Sequence, residues 1–258
     1  EAVLPTDAPV VRKDLASPMA FHWLLKWPTL EAAQRARAQT MRSFFYARKC
    51  RSAAHIERVI AAIPTAKPLT QDVAVLAVQP LTVQMLAKQL QLLNKSITAY
   101  EQQIQILFRQ HPDAFLFESL PGAGKTLAPR LLCAFGSDRA RYPSAQNMQT
   151  YAGVAPVIER SGKSCWTHWR WNCPKFLRQT FHEYAKVSIL YSTWARAYYD
   201  QQKQRGKRHN AAIRSLAFKW IRIIHRCWQT RTLYDESLYL QTLAQRGSPL
   251  CALIAEPA

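Results

Sequence analysis

The segment KFLRQTFHEYAKV at residues 175–187 places large apolar side chains on one face of a helix and most basic side chains off that face. The segment AAIRSLAFKWIRIIHRCW at residues 211–228 has the same character, with basic residues interleaved between aromatic and aliphatic ones. Apolar residues that recur in this way are typical of amphipathic helices. These two segments predict a helical, basic domain.

The composition supports a mostly helical fold. The chain has 258 residues, of which 48% are hydrophobic, so it is large enough to bury a core. Only 7 glycines accompany 15 prolines, and long stretches are rich in Ala, Leu, Gln and Arg, which disfavours an all-β fold. These features exclude a disordered tail and a small disulfide scaffold, and they predict a mostly α protein.

The charge is strongly positive and unevenly distributed. Lys and Arg number 35 against 16 Asp and Glu, which gives a net charge of +19. Residues 157–231 alone carry 16 basic and 3 acidic side chains. An excess of one sign that is concentrated in one segment indicates an anionic partner, and nucleic acid is the leading candidate.

Cysteine spacing argues against a metal site in this chain. The 6 cysteines lie far apart, without a Cys-x-x-Cys pair or the Cys and His spacing of a zinc finger. We therefore expect reduced thiols in a cytosolic protein. No apolar run approaches the roughly 18 residues of a membrane-spanning helix, and no secretory signal is visible, so no membrane partner is expected.

Residues 70–111 are nearly neutral and carry a heptad pattern. Its apolar positions are Leu86, Leu90, Leu93, Ile97, Tyr100, Ile104 and Leu107. This a/d spacing predicts a coiled-coil helix. Two interpretations stay open on equal terms: a helix docked on the core of its own domain, or an arm that forms a homo-oligomer.

Residues 1–69 predict a segment of short amphipathic helices. Candidate helices cover residues 19–26, 29–50 and 52–63, with Ser-Pro and Pro-Thr pairs as start signals. The acidic residues of this segment are scattered, and nothing places two of them at one metal ion. We expect no catalytic site here.

The stretch LPGAGKT at residues 120–126 ends like a phosphate-binding loop, but Ser119 stands where that motif requires its first glycine. ATP binding is therefore disfavoured. A short helix, this turn and a second helix from Lys125 to Phe135 fit a helix-hairpin-helix, in which backbone N–H groups and Lys125 contact a phosphate. A tight turn that needs glycine for geometry alone explains the same residues equally well.

Residues 157–172 predict two extended arms joined by an exposed turn at Ser161-Gly162. Arg160 and Lys163 flank the serine, so the turn is placed to meet a phosphate. A nucleophilic serine is one interpretation of this arrangement. The other is a common Ser-Gly turn whose basic neighbours only contact the backbone of a nucleic acid.

The blocks between Ser119 and Asp235 together resemble the C-terminal domain of insertion-sequence family one-ten transposases, of which the Piv-like DNA invertases are relatives. The blocks are SLPGAG (119–124), FG (135–136), YPSA (142–145), YAGVAP (151–156), SGK (161–163), KFLR (175–178), WARAYY (194–199), RGK (205–207) and TLYD (232–235). Their order covers roughly residues 112–236, which leaves residues 237–258 as a tail. The helix before them resembles the coiled-coil region of that family.

The resemblance implies a DNA transposase or site-specific recombinase. Ser161 would be the catalytic nucleophile, and its attack on the scissile phosphodiester would form a covalent protein–DNA intermediate. The resemblance also implies a guide RNA as partner beside DNA, so that base pairing selects the sequence while the protein reads backbone and shape. It further implies a bacterial, cytoplasmic, nucleoid-associated protein.

Charge and turn chemistry supply candidate ligands for nucleic acid in three groups: the glycine-rich turn, the serine hairpin with the helix after it, and a dense cationic linker. They are Gly122, Gly124 and Lys125; Arg160, Lys163, Arg170, Lys175 and Arg178; and Lys203, Arg205, Lys207 and Arg208.

The family's other catalytic part, a RuvC-like domain with four acidic residues that bind divalent metal, is not found in this sequence. Pro5-Thr6-Asp7-Ala8 only echoes the motif that closes such a domain. Mg²⁺ is expected only at that missing domain, and this chain is expected to hold no cofactor. Because a serine hydroxyl needs a base or a metal nearby, the alternative function is that of a non-catalytic DNA- or RNA-binding remnant.

Overall fold

Helices dominate the computed structural model, which describes residues 17–255. Within those residues the one sheet is a two-stranded antiparallel hairpin, so the prediction of a mostly α fold with a short extended hairpin is confirmed. The chain divides into two compact units, residues 1–102 and 103–258. The Asp7 motif lies outside the described residues.

The first unit begins with short helices around an aromatic cluster. These are α1 (Pro18–Lys26), α2 (Leu30–Gln34), α3 (Ala38–Ala47) and α4 (Ala53–Ala62). The Ser17, Thr29 and Ser52 side chains accept backbone N–H groups at the starts of α1, α2 and α4, as N-cap residues do. In the cluster, Trp23 packs against Phe44 and Phe45, with ring centroids 5.5 Å apart in each pair.

The prediction of one helix over residues 29–50 is wrong. The chain leaves helical geometry between α2 and α3, where Arg37 has an extended backbone with ψ 139°. This break changes the direction of the chain, and Ala33 of α2 and Met41 of α3 both lie in the cluster around Trp23. The backbone N–H groups of Arg35 and Ala36 close the last turn of α2 on the Glu31 and Ala33 carbonyls before the chain continues into α3.

Helix α5, Val73–Gln110, lies within the predicted range of residues 70–111 and begins well before Leu86, the first residue of the heptad pattern. Asp72 accepts the backbone N–H of Ala74 at 2.8 Å, which satisfies one donor of the first turn. Pro80 therefore lies inside the helix rather than in its first turn. A proline there removes one helical hydrogen bond.

The heptad side chains of α5 lie largely on its surface. Leu93, Ile97, Tyr100 and Ile104 are 57%, 54%, 71% and 48% exposed. This stripe is therefore not packed on a core along these residues. The long helix is present as predicted, whereas its pairing in a coiled coil stays a prediction.

By length and composition α5 also qualifies as a candidate membrane span, and 6% of its most apolar stretch is buried. This differs from the sequence expectation that no apolar run approaches the length of a membrane-spanning helix. One such helix is weak evidence, because many helices of soluble proteins meet the same criteria.

The second unit contains eight further α-helices within the described residues. They are α6 (Ala114–Glu118), α7 (Gly124–Phe135), α8 (Ala145–Tyr151), α9 (Lys175–Ser188), α10 (Thr193–Gln204), α11 (His209–Thr230), α12 (Glu236–Gln245) and α13 (Leu250–Ala255). A short 3₁₀ helix, Arg139–Arg141, precedes α8. Helix α11 packs against α8, α9 and α10, and it is the central element of this core.

Buried tryptophans connect the elements of this core. Trp220 and Trp228 of α11 and Trp194 of α10 have no exposed surface. Their indole N–H groups donate hydrogen bonds to Ser188 Oγ at 2.7 Å, to the Gly136 carbonyl at 2.9 Å and to Tyr234 Oη at 2.7 Å. Each ring thus buries a large apolar area without leaving its polar atom unpaired.

The C-terminal residues are also helical. Helices α12 and α13 fall mostly within residues 237–258, which were predicted as a tail, and Leu250 is only 2% exposed in the core cluster. The remaining predicted domain boundaries, at residues 69, 111 and 236, stay predictions.

Candidate nucleic-acid interface

The predicted extended arms are two paired strands, β1 (Val157–Ser161) and β2 (Ser164–His168). Ser161 pairs with Ser164, so Gly162 and Lys163 form the connecting turn. Gly162 has φ +56°, and glycine is the residue that favours positive φ at the first position of a two-residue hairpin turn. The turn therefore lies one residue later than predicted and presents Ser161 at its edge.

Ser161 shares one face of the hairpin with Glu159, Trp166 and His168, as the strand register requires. At the other end of that face, the Glu159 carboxylate and the His168 ring form an ion pair at 3.2 Å. Glu159 lies two residues before Ser161 on β1, a distance of about 7 Å along the strand, and Val157, opposite His168, lies two residues further away. The serine hydroxyl is exposed and, within the described residues, makes no hydrogen bond to Glu159 or His168, which are paired with each other.

A divalent metal has no ligand set in the described part of the chain. No group of three or more His, Cys, Asp or Glu side chains lies together among residues 17–255. The six cysteines are free thiols. These residues do not fit a Mg²⁺ site, so no chemical step of this chain is assigned to a metal.

At the base of the hairpin, the backbone of Gly153 packs closely against the side chain of Cys173. Gly153 lies just before β1 and has φ +68°, and a Cβ there would lie 2.3 Å from Cys173 Sγ. Cys173 follows β2, and its thiol is 3.7 Å from the Arg170 carbonyl. Gly153 and Cys173 thus bring the two ends of the hairpin together.

The candidate ligands Arg160, Lys163 and Lys175 are exposed, on β1, on the turn and at the first residue of α9. Arg170 and Arg178 are partly buried beside the hairpin. The structure thus brings these five cations together around the hairpin and the start of α9.

The glycine-rich turn lies elsewhere. A Cβ at Gly122 would meet the side chains of Tyr191 and Val187, near the C-terminal end of α9. This end of α9 is about 18 Å from Lys175 along the helix. Gly122 thus serves a contact within the protein, whereas a Cβ at Gly124 would meet nothing within 4 Å and Lys125 is exposed.

The cationic linker joins α10 to α11 and is fully exposed. Within it, Lys207 donates a hydrogen bond to Ser215 Oγ at 3.0 Å. Sequence reasoning missed Lys219, whose ammonium lies 4.1 Å from the ring centroid of Tyr198. Burial lowers the pKa of Lys219, and the charges of Arg222 and Arg205 lower it further. This cluster of cations therefore extends from the linker onto α11.

Sequence reasoning also missed Trp169, His182 and Arg214, which meet at the base of the hairpin. The Arg214 guanidinium lies 4.0 Å from the Trp169 ring centroid, and the His182 ring stacks on Trp169 at 6.0 Å. In the sequence, the one indication of this contact is that Arg214 falls on the apolar side of the amphipathic helix α11. That position does not show that Trp169 is its partner.

Comparison with known proteins shows that part of this domain is similar to one family. Residues 114–200 match the model described as "Transposase IS116/IS110/IS902 family". The "Mini-circle putative transposase for IS117" of Streptomyces coelicolor is 31% identical over 145 residues, which are 56% of this chain and 35% of that protein. The "Insertion element IS110 uncharacterized 43.6 kDa protein" of the same species is 30% identical over 159 residues, 61% of this chain and 39% of that protein.

A recombinase is similar over a shorter region. The "Pilin gene-inverting protein" of Moraxella bovis is 40% identical over 75 residues, which are 28% of this chain and 23% of that protein. The chain spans only about a third to two fifths of the length of the insertion-element relatives that it matches. Over residues 114–200, this chain is therefore similar to the IS116/IS110/IS902 family of transposases.

Proposed function

We propose that this chain is the nucleic-acid-binding, serine-bearing part of a DNA transposase or site-specific recombinase. The observation that carries the proposal is the exposed Ser161 hairpin, which lies inside the family-matched residues 114–200 and amid the most basic segment of the chain. Phosphodiester backbones are the ligands that such a surface attracts. DNA is the proposed substrate, and a cytoplasmic location follows from it.

In this proposal Ser161 acts as a nucleophile. Its Oγ forms a bond to the scissile phosphorus while the bond from phosphorus to the departing strand oxygen breaks. The serine proton passes to a base, and the departing oxygen takes up a proton. The phosphoserine linkage keeps the bond energy for rejoining. In the rejoining step a strand oxygen attacks the phosphorus, and the bond from phosphorus to Ser161 Oγ breaks.

The base or metal that activates Ser161 would come from outside the described residues. On the hairpin, Glu159 is paired with His168 and neither makes a hydrogen bond to Ser161, and residues 17–255 offer no metal cluster. We propose that acidic residues of a RuvC-like domain with Mg²⁺ complete the site. A guide RNA is proposed as a second ligand of the basic surface, which suits recognition of shape and phosphate.

The unpartnered serine also supports a second function from another class. A chain that contributes only binding would keep the basic surface and need no base at Ser161. The two functions differ in one product, the covalent protein–DNA adduct.

The test is a denaturing gel of labelled DNA incubated with this chain, a RuvC-like partner chain, guide RNA and Mg²⁺. The catalytic function predicts a protein–DNA adduct that Ser161→Ala abolishes, with DNA affinity unchanged within about twofold. Ser164→Ala, at the paired position on the same face, is the matched control and keeps the adduct. An adduct that survives Ser161→Ala contradicts the nucleophile, and DNA binding without any adduct supports the binding function.

A further inference from the structure

The ring of Trp169 is surrounded by cationic and imidazole side chains. Trp169 directly follows β2, so it lies at the base of the Ser161 hairpin. The guanidinium carbons of Arg214 and Arg178 lie 4.0 Å and 5.6 Å from its ring centroid. The His182 ring stacks on it with an interplanar angle of 29°. Helices α9 and α11 thus supply three polar groups to one indole.

No carboxylate neutralises these arginines. Within the described residues, neither guanidinium makes an ion pair or a hydrogen bond, although burial lowers the pKa of Arg214. Glu183, the acidic neighbour of His182 in sequence, is paired with Arg130 and accepts a hydrogen bond from Gln179. Placing two desolvated cations together without an anion is unfavourable.

Two other partly buried arginines of this domain that lie on aromatic rings have different surroundings. Arg139 lies 5.0 Å from the Trp228 ring centroid and pairs with Asp113 at 2.6 Å. Arg130 lies 5.7 Å from the ring of Phe176 and pairs with Glu183. At both of these places the arginine stabilises the fold and has a carboxylate partner. The Trp169 cluster lacks that carboxylate.

Two more polar atoms at this cluster are buried without a partner. They are Nε2 of His182 and Nε of Arg170. Burial, together with the charges of Arg214 and Arg178, lowers the pKa of His182 to about 4, so its ring is neutral at physiological pH. Buried polar atoms that lack partners are rare in folded proteins, and a missing ligand is one cause of them.

We propose that the cluster of Trp169, Arg178, His182 and Arg214 is a phosphate site for a nucleic-acid strand that passes the base of the hairpin. The two guanidinium groups bind phosphate oxygens, and Trp169 holds them in place by cation–π contact. This inference rests on the proposed function, because it assigns a strand contact beside Ser161.

The test measures the salt dependence of binding by the full chain, with duplex DNA in one arm and structured RNA in the other. Arg178→Gln and Arg214→Gln are each expected to weaken binding about 5- to 10-fold and to reduce the slope of log affinity against log salt by about 1. Arg214→Lys keeps the charge and restores most of the slope. A loss in either arm supports the site and identifies which strand occupies it.

Arg130→Gln is the matched control, since Arg130 is a half-buried arginine on an aromatic ring that already has a carboxylate partner. It is expected to leave the slope unchanged. If the wild type shows a steep slope of log affinity against log salt and both Arg178→Gln and Arg214→Gln keep that slope in both arms, the phosphate site is overturned. The proposed function would not be affected by that result. A wild type without salt-dependent binding would overturn the proposed function as well.

Discussion

Position 153 requires glycine, because of both its backbone conformation and the space around it. It ends α8 with φ +68°, and Cys173 Sγ occupies the space where a Cβ would lie. Gly247 ends α12 with φ +60° and has open space around it. Both glycines follow the same pattern, with their own N–H and the next one bonded back to the helix.

Gly153→Ala is therefore expected to lower the free energy of unfolding by about 2–4 kcal/mol, because strain at positive φ adds to the clash with Cys173. Gly247→Ala carries the strain alone and is expected to cost about 1 kcal/mol. Urea unfolding of both variants measures the difference. Equal losses would show that the contact with Cys173 does not constrain the hairpin.

Asp113 is the buried anion of the second unit. Its side chain is 1% exposed and pairs with Arg139 at 2.6 Å and with Arg231 at 3.3 Å. The hydrogen bond from Arg139 holds the pKa of this carboxyl below its ordinary value of 3.8, although burial opposes the shift. The ionised form therefore stabilises the fold above pH about 4, and this contribution is lost as the pH falls through the lowered pKa.

Asp113→Asn is expected to reduce the free energy of unfolding by about 1–3 kcal/mol at neutral pH, since it removes the anion from Arg139 and Arg231, which are themselves 26% and 57% exposed. The difference from wild type should shrink in acid as the pH falls through the lowered pKa of Asp113, because the wild-type carboxyl then also protonates. Asp200→Asn, at an exposed aspartate, provides the control. A penalty that does not change with pH would contradict this account of the ion pairs.

At the scale of the element, α5 presents an apolar stripe to solvent. The exposed side chains recur at the a and d spacing over Leu86–Leu107. Monomeric soluble proteins rarely expose a long apolar stripe, and a second helix with the same pattern covers it in a coiled coil. A homodimer through α5 is therefore the expected assembly.

Replacing Leu93 and Ile97 together by Glu should convert the dimer to a monomer in sedimentation experiments at micromolar concentration. Replacing Gln102 and Gln103, polar residues of the same helix, by Glu is the charge-matched control. A wild-type chain that sediments as a monomer would contradict the coiled coil. Association of the wild type with neutral lipid vesicles, lost in the Leu93 and Ile97 variant, would instead assign the stripe to a membrane.

Elements marked by local signals could be predicted from the sequence, and those set by distant contacts could not. The helix predicted from Lys125 to Phe135 agrees with α7 to within one residue, because the Gly136 cap acts locally. The serine turn was found within one residue for the same reason. The break between α2 and α3 depends on the Trp23 cluster, which the local pattern does not contain.

Part of the candidate site could likewise be predicted from the sequence, and part depends on contacts between residues distant in sequence. The exposed cations around Ser161 follow from composition, since a basic segment of the chain remains basic on the surface. The contact of Trp169 with Arg214 joins residues far apart in sequence, and only the packing of α9 against α11 creates it. The neutral state of His182 follows from that packing as well.

At the scale of the whole molecule, the excess charge is the property that links fold to function. Residues 157–231 carry 16 basic and 3 acidic side chains. Replacing Lys203, Arg205, Lys207 and Arg208 by Ala should reduce the slope of log affinity against log salt by about 2–4, because each phosphate contact contributes about 0.9. An unaltered slope in an equilibrium titration would show that the linker is merely solvated.

The measurement that tests the central claim most directly is the salt dependence of duplex DNA binding by the wild-type chain. The account predicts that affinity falls about 10³-fold or more between about 50 and about 200 mM salt, as for a surface that contacts six or more phosphates. Affinity that changes less than about threefold over the same range would contradict it, because the basic surface would then not be the part of the molecule that holds DNA.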